Sequence, residues 1–192
     1  MKKFFVMVVA AMMAAVSVSA QNDEANEISV FYGFGSASNI VSDLGSAFTY
    51  STGDQTGFWG PIGLEYYRHL TNVVAVGIVA EYAGCKWDRP YEVDGSLNST
   101  YLTAMPSVKF NWLRKKNFGL YSSLSAGIMV ADLGASGSIT KDPEVKNAEE
   151  TVTSFMFNIN PIGAEFGGAF RGFVELGFGE KGLLCAGLRY KF

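Results

Sequence analysis

From Glu27 to Phe192 the chain alternates apolar residues with polar or small ones at a period of two, in segments separated by Gly, Asn and charged turns. Successive side chains of a strand point to opposite sides, so each such segment predicts a β-strand with one greasy face. Eight are legible. In Glu27 to Gly35, Ile28, Val30, Tyr32 and Phe34 oppose Ser29, Gly33 and Gly35. In Gly57 to His69, Ile62, Leu64 and Tyr66 oppose Gly63, Glu65 and Tyr67. Val73 to Ala83 sets Val74, Val76, Ile78, Ala80 and Tyr82 against Ala75, Gly77 and Glu81, and Thr100 to Trp112 sets Val108, Phe110 and Trp112 against Ser107, Lys109 and Asn111. Phe118 to Ala131 follows, then Val152 to Phe166, whose alternation slips near Asn160-Pro161 as a bulge would cause. Phe170 to Phe178 sets Val174, Leu176 and Phe178 against Arg171 and Glu175. Leu183 to Phe192 ends the chain, with Leu184, Ala186, Leu188, Tyr190 and Phe192 opposite Cys185, Gly187, Arg189 and Lys191.

Period two by itself is compatible with two folds. A soluble sandwich or a lipocalin-type barrel hides the greasy faces in a core, whereas a membrane barrel turns them to lipid and keeps its charges in a lumen. The connections separate these. They are tight after the second, fourth and sixth strands, but long from Ser36 to Thr56, Cys85 to Ser99 and Asp132 to Thr151. Short turns on one rim and long loops on the other are what a membrane barrel has, and an even strand count returns both ends to the short-turn rim. Aromatics agree: Tyr66, Phe110, Trp112, Phe118, Phe166, Phe170, Tyr190 and Phe192 fall beside the short turns, and Phe34, Phe58, Tyr82 and Phe178 near the loops. Two aromatic belts around an aliphatic zone suit rings at both headgroup layers. The fold class is therefore all-β, an eight-stranded antiparallel up-and-down transmembrane β-barrel. The other faces place Glu65, Glu81, Lys109, Glu165, Arg171, Glu175 and Arg189 in a polar lumen too narrow to stay open in an eight-stranded barrel. Prolines 61, 106 and 161 fall inside strands, and Pro61-Ile62-Gly63-Leu64-Glu65-Tyr66 recurs as Pro161-Ile162-Gly163-Ala164-Glu165-Phe166. Proline gives no ladder donor, so bulges or missing bonds are expected there.

Residues Met1 to Ala20 have the form of a secretory leader: Lys2 and Lys3, an apolar run from Phe4 to Val16, and the small exit Val18-Ser19-Ala20. The run is shorter than the ~20 residues of a spanning helix. Cleavage after Ala20 leaves residues 21–192 as one domain. The two leader lysines go with it, so 13 of the 15 basic residues face 18 acidic ones and the net charge falls from −3 to −5. A nucleic-acid partner is disfavoured.

Catalytic signals are weak. His69 is the only histidine and stands beside the turn after the second strand, away from any nucleophile. Cys85 and Cys185 are an even pair in an exported chain, but their strands are not neighbours, and free thiols are expected. The lumen glutamates are read as a structural charge network before an acid/base relay. Arg114-Lys115-Lys116 is a solvated turn, Asn39 to Leu44 a short capped helical turn, and Asp132 to Glu150 an exposed loop. No cofactor, metal or catalytic residue is expected.

The leader, the PIGLEYYRHL and NPIGAEFGG strands and the terminal GLRYKF together resemble the small outer-membrane β-barrel domain family, the OmpA/OmpX-like barrels of porin-family type. The resemblance covers the whole exported chain. It implies an outer-membrane location, the bilayer as partner, a monomer, and Leu188, Tyr190 and Phe192 as a C-terminal signal for the barrel-assembly machinery. It implies no reaction. The long loops are candidates for an extracellular partner. Alternatives are a narrow barrel binding or conducting a small apolar molecule, and a lipid-modifying outer-membrane enzyme.

Overall fold

The structure, a computed structural model, describes residues 26–37, 55–88, 94–138 and 148–192. Eight strands run β1 Asn26–Phe34, β2 Gln55–His69, β3 Val74–Asp88, β4 Asp94–Lys115, β5 Phe118–Ser138, β6 Ala148–Gly167, β7 Phe170–Gly179 and β8 Leu184–Lys191. Each pairs antiparallel with the next, and β8 returns to β1, with Val30 opposite Leu188 and Ser29 opposite Arg189. The sheet is a closed up-and-down barrel with no free edge, the architecture that the sequence resemblance implies. The first and last of the described residues meet at the short-turn rim, where the Asn26 and Phe192 amides each donate to the other's carbonyl at 2.9 Å.

Burial follows the period of two with inverted polarity. Along β1, Glu27, Ser29 and Phe31 are buried inside, while Ile28, Val30 and Phe34 are 44%, 49% and 53% exposed on the outside. β7 and β8 repeat it, with Val174, Leu176, Leu188 and Tyr190 outward and Arg171, Glu175 and Arg189 inward. A continuous greasy exterior around an ionised interior cannot be stable in water, since that exterior far exceeds the apolar patch of a soluble monomer. It matches a hydrocarbon surround, where closed barrels satisfy every backbone group. No described helix is long and apolar enough to cross a membrane.

Two expected loops are shorter than the sequence reading gave them. Asp132 to Thr151 contains the outer ends of β5 and β6, paired from Asp132↔Thr151 to Ala135↔Ala148, and Cys85 to Ser99 contains those of β3 and β4, paired from Cys85↔Ser99 to Asp88↔Ser96. Strand boundaries shift with them: β4 starts at Asp94, not Thr100, and β6 at Ala148, not Val152. The ladder is made of backbone bonds, so it continues into polar sequence where no greasy face marks it. The Asn39 to Leu44 segment and the side chains of Phe58 and Cys85 lie outside the described residues.

The prolines are accommodated in two ways. Register shifts occur in β2–β3 between Trp59 and Ile62 and in β6–β7 between Ile159 and Ile162, so Pro61 and Pro161 each lie in a bulge. At Pro106 the β4–β5 register is unchanged from Ala104↔Ile128 to Ser107↔Ser125. Glycine is required at the β6–β7 turn, where Gly167 has φ 132° and a Cβ would strike the Phe170 carbonyl.

Candidate functional site

The lumen is organised around Arg189, carried inward by the alternation of β8. Its Nε donates to Ser29 Oγ at 2.9 Å, Nη1 to Glu165 Oε2 at 2.7 Å and Nη2 to Glu65 Oε2 at 3.1 Å. The guanidinium lies 4.3 Å from the Phe173 ring centroid and 4.9 Å from that of Tyr121, so aromatic faces cover the surfaces its hydrogen bonds leave open. A planar fork fixed by two carboxylates and two rings has little freedom to move.

Toward the short-turn rim, Glu27 and Glu165 are shared among several cations. Lys109 Nζ is 2.6 Å from Glu27 Oε1 and 3.6 Å from Glu165 Oε2, and Lys191 Nζ is 2.5 Å from Glu165 Oε1 and 3.5 Å from Glu27 Oε2. Arg171 donates to Glu165 Oε1 at 3.1 Å, and to the carbonyls of Gly168 at 2.8 Å and Lys116 at 3.0 Å, tying two turns to the lumen. His69 is a turn residue by sequence, yet its ring is buried with Nε2 3.4 Å from Glu27 Oε2.

Toward the loop rim, the β7–β8 turn bends over the barrel mouth. Gly179 and Gly182 have φ 136° and 102°, and the Lys181 amide donates to Asn158 Oδ1 at 3.2 Å. The turn sends the Lys181 side chain into the lumen, where its ammonium bonds Glu65 and Glu175 and lies 4.6 Å over the Phe31 ring. Tyr121 donates to Glu175 Oε1 at 2.7 Å and Asn160 Nδ2 to Glu175 Oε2 at 2.9 Å. The Lys181 ammonium and the Arg189 guanidinium both abut an apolar cluster of Phe31, Val79, Met105, Phe173 and the free, buried thiol of Cys185.

Six of the seven residues expected in the lumen, Glu65, Lys109, Glu165, Arg171, Glu175 and Arg189, join in this network. Glu81 does not: it is 3% exposed and points inward, but neither carboxylate oxygen accepts a hydrogen bond. Alternation put Tyr67, Tyr121 and Lys191 on the inward faces without counting them in the charge network, and Glu27, Lys181 and Asn160 were left out. Glu27 was recoverable, since it continues the Ser29 face by alternation; Lys181 lies in a turn, where period two says nothing. Leu188, Tyr190 and Phe192 face outward, with the last two rings stacked at 5.7 Å. Among the described residues no three His, Cys, Asp or Glu side chains are grouped to hold a metal.

No protein-family model and no curated protein matches the sequence. Among solved structures, the chain is similar to the N-terminal β-barrel domain of Pseudomonas aeruginosa OprF at 18% identity, over 90% of this chain and 100% of that one, with a TM-score of 0.42. It is also similar to Ail, the attachment invasion locus protein of Yersinia pestis, at 15% identity over 87% of this chain and 96% of that one, TM-score 0.36. Ail in complex with the heparin analogue sucrose octasulfate gives 14% identity over 87% and 96%, TM-score 0.39. The strand pairing above establishes the barrel without these likenesses.

Proposed function

We propose that the chain is an integral outer-membrane β-barrel protein, exported by a leader cleaved after Ala20, that works without catalysis as a monomer whose lumen is plugged. The observation that carries this reading is the exchange of faces: a greasy outer wall around a lumen in which Arg189, Lys181, Lys109, Lys191 and Arg171 neutralise Glu65, Glu165, Glu175 and Glu27. Small side chains and ion pairs fill an eight-stranded interior. In this reading Leu188, Tyr190 and Phe192 present the last strand to the barrel-assembly machinery, the bilayer is the permanent partner, and the outer loops serve envelope structure or an extracellular partner.

A small-molecule conduit is disfavoured by the same ion pairs. A lipid-modifying enzyme is disfavoured because His69 faces Glu27 at the short-turn rim, far from the outer leaflet. Planar-bilayer recording of the refolded barrel tests the plug: no discrete conductance steps are expected, whereas regular steps in the untreated protein would overturn it. Detergent-dependent solubility and a heat-dependent shift in gel mobility test the membrane assignment separately.

A further inference from the structure

We infer that the β4–β5 turn, through Lys115 and Lys116, docks anionic phospholipid headgroups in the leaflet at the short-turn rim. The inference rests on the membrane reading above and adds to it a lipid preference at one place on the barrel. Arg114 and Lys115 end β4 opposite Gly119 and Phe118, and Lys116 and Asn117 form the turn between them. Lys115, Lys116 and Asn117 are exposed, while Arg114 is half-buried with an interaction of its own. Two ammonium groups are thus presented at the rim, next to a guanidinium.

A turn that needs only water can carry charge of either sign, so the distribution of charge along the barrel decides. Apart from the buried glutamates, the acidic residues of the described strands are Asp88, Asp94, Asp132, Glu149 and Glu150, and all stand toward the long loops. Apart from the buried cations, the described lysines and arginines are Arg68, Lys86, Arg114, Lys115 and Lys116, and only Lys86 stands at that end. The short-turn rim therefore carries positive charge with no described Asp or Glu outside the lumen to offset it. Asp23 and Glu24, which precede β1 in the sequence, lie outside the described residues, and the β4–β5 turn is diametrically opposite the β1–β8 seam in the strand order. Basic side chains gathered at a membrane surface attract anionic lipid, each adding to the attraction.

Height and rigidity suit a headgroup. Phe118, the register partner of Lys115, packs its ring 5.0 Å from that of Phe166, and Trp112, 58% exposed on the outer wall, donates its indole N–H to Ser122 Oγ at 3.1 Å. Such rings settle at the headgroup layer, and a lysine beside them lays its stem along the apolar wall and extends its ammonium to the phosphates. The turn is also pinned from inside: Arg171 donates to the Lys116 carbonyl at 3.0 Å, and the Gly167 amide to that of Asn117 at 3.1 Å. A turn already held in place loses little freedom on binding.

The test keeps Trp112 as the sole tryptophan, by Trp59→Phe and Trp87→Phe, in the full barrel refolded into vesicles of equal parts phosphatidylcholine and phosphatidylglycerol. One of the two lipids at a time is brominated in its acyl chains. Brominated phosphatidylglycerol is expected to quench Trp112 about twofold more than brominated phosphatidylcholine. The preference should fall to parity in Lys115→Gln/Lys116→Gln and shrink as salt rises. It should be absent at Trp59, 40% exposed on the loop side, when Trp87→Phe and Trp112→Phe leave that residue as the sole tryptophan. Equal quenching of Trp112 by the two lipids, a preference that survives the double substitution, or the same preference at Trp59 would overturn the inference and leave the membrane barrel standing. Quenching by neither lipid would overturn both.

Discussion

Leu188→Arg tests the outward sense of the greasy faces. Leu188 is 48% exposed on β8, flanked by Val30 of β1 and Gly172 of β7. Gly172 has no side chain and nothing lies within 4 Å of where its Cβ would be, so an arginine here meets only the surroundings of the barrel. A strand rises ~3.3 Å per residue and tilts by about 40°, giving about 2.5 Å of height per residue. Leu188 lies four residues above Phe192 and four below Leu184. That places it about 10 Å above the lower aromatic belt, close to the middle of an apolar band about 25 Å tall. The expected cost is about 2–4 kcal/mol, against about 0–1 kcal/mol for the same change at Leu70, which is 59% exposed in the β2–β3 turn. Urea unfolding in phospholipid vesicles, followed by tryptophan fluorescence, measures both. Equal midpoints for the two variants would refute the claim that the outer wall contacts hydrocarbon.

Three further outcomes are expected. Arg189→Leu leaves Glu65 and Glu165 short of a buried partner and should lower the unfolding free energy by about 3–5 kcal/mol, while Lys115→Ala, at the exposed end of β4, should change it by less than about 0.5 kcal/mol in the same urea assay. At Gly163 a Cβ would approach the Tyr121 ring to 2.6 Å. Gly163→Ala should therefore cost about 1–3 kcal/mol and displace the Tyr121 hydroxyl from Glu175, visible as a shifted tyrosine resonance; an unperturbed resonance would count against the packing described. Deleting Phe192 should slow insertion severalfold in proteoliposomes carrying assembly machinery, and an unchanged rate would remove the signal role of Leu188, Tyr190 and Phe192.

The barrel was legible because its greasy faces keep a period of two across the bilayer, from Ile28 to Phe34 and from Leu184 to Phe192. Charged residues at alternate positions, such as Lys109, Glu175 and Arg189, could then be assigned to the lumen before any geometry was known. Strand ends were not legible, because Asp94 to Ser99 and Ala148 to Thr151 pair through backbone groups while their side chains carry no alternation. Connectivity within the lumen was hidden for a different reason. Which carboxylate meets which cation depends on the register of strands distant in sequence, such as Glu65 and Arg189, and on a turn that folds inward. Composition near Glu180 to Gly182 looks like any polar turn, so Lys181 could not be placed.

The inward fold of the β7–β8 turn gives the last hairpin a double task. Lys181, Arg189 and Lys191 all belong to it, whereas Glu27, Glu65 and Glu165 stand on strands made earlier. A nascent sheet lacking this hairpin presents an acidic gutter that water must fill. Closing the seam between first and last strands therefore brings these cations to the carboxylates of β1, β2 and β6, so a sheet without the hairpin is both open-edged and short of positive charge.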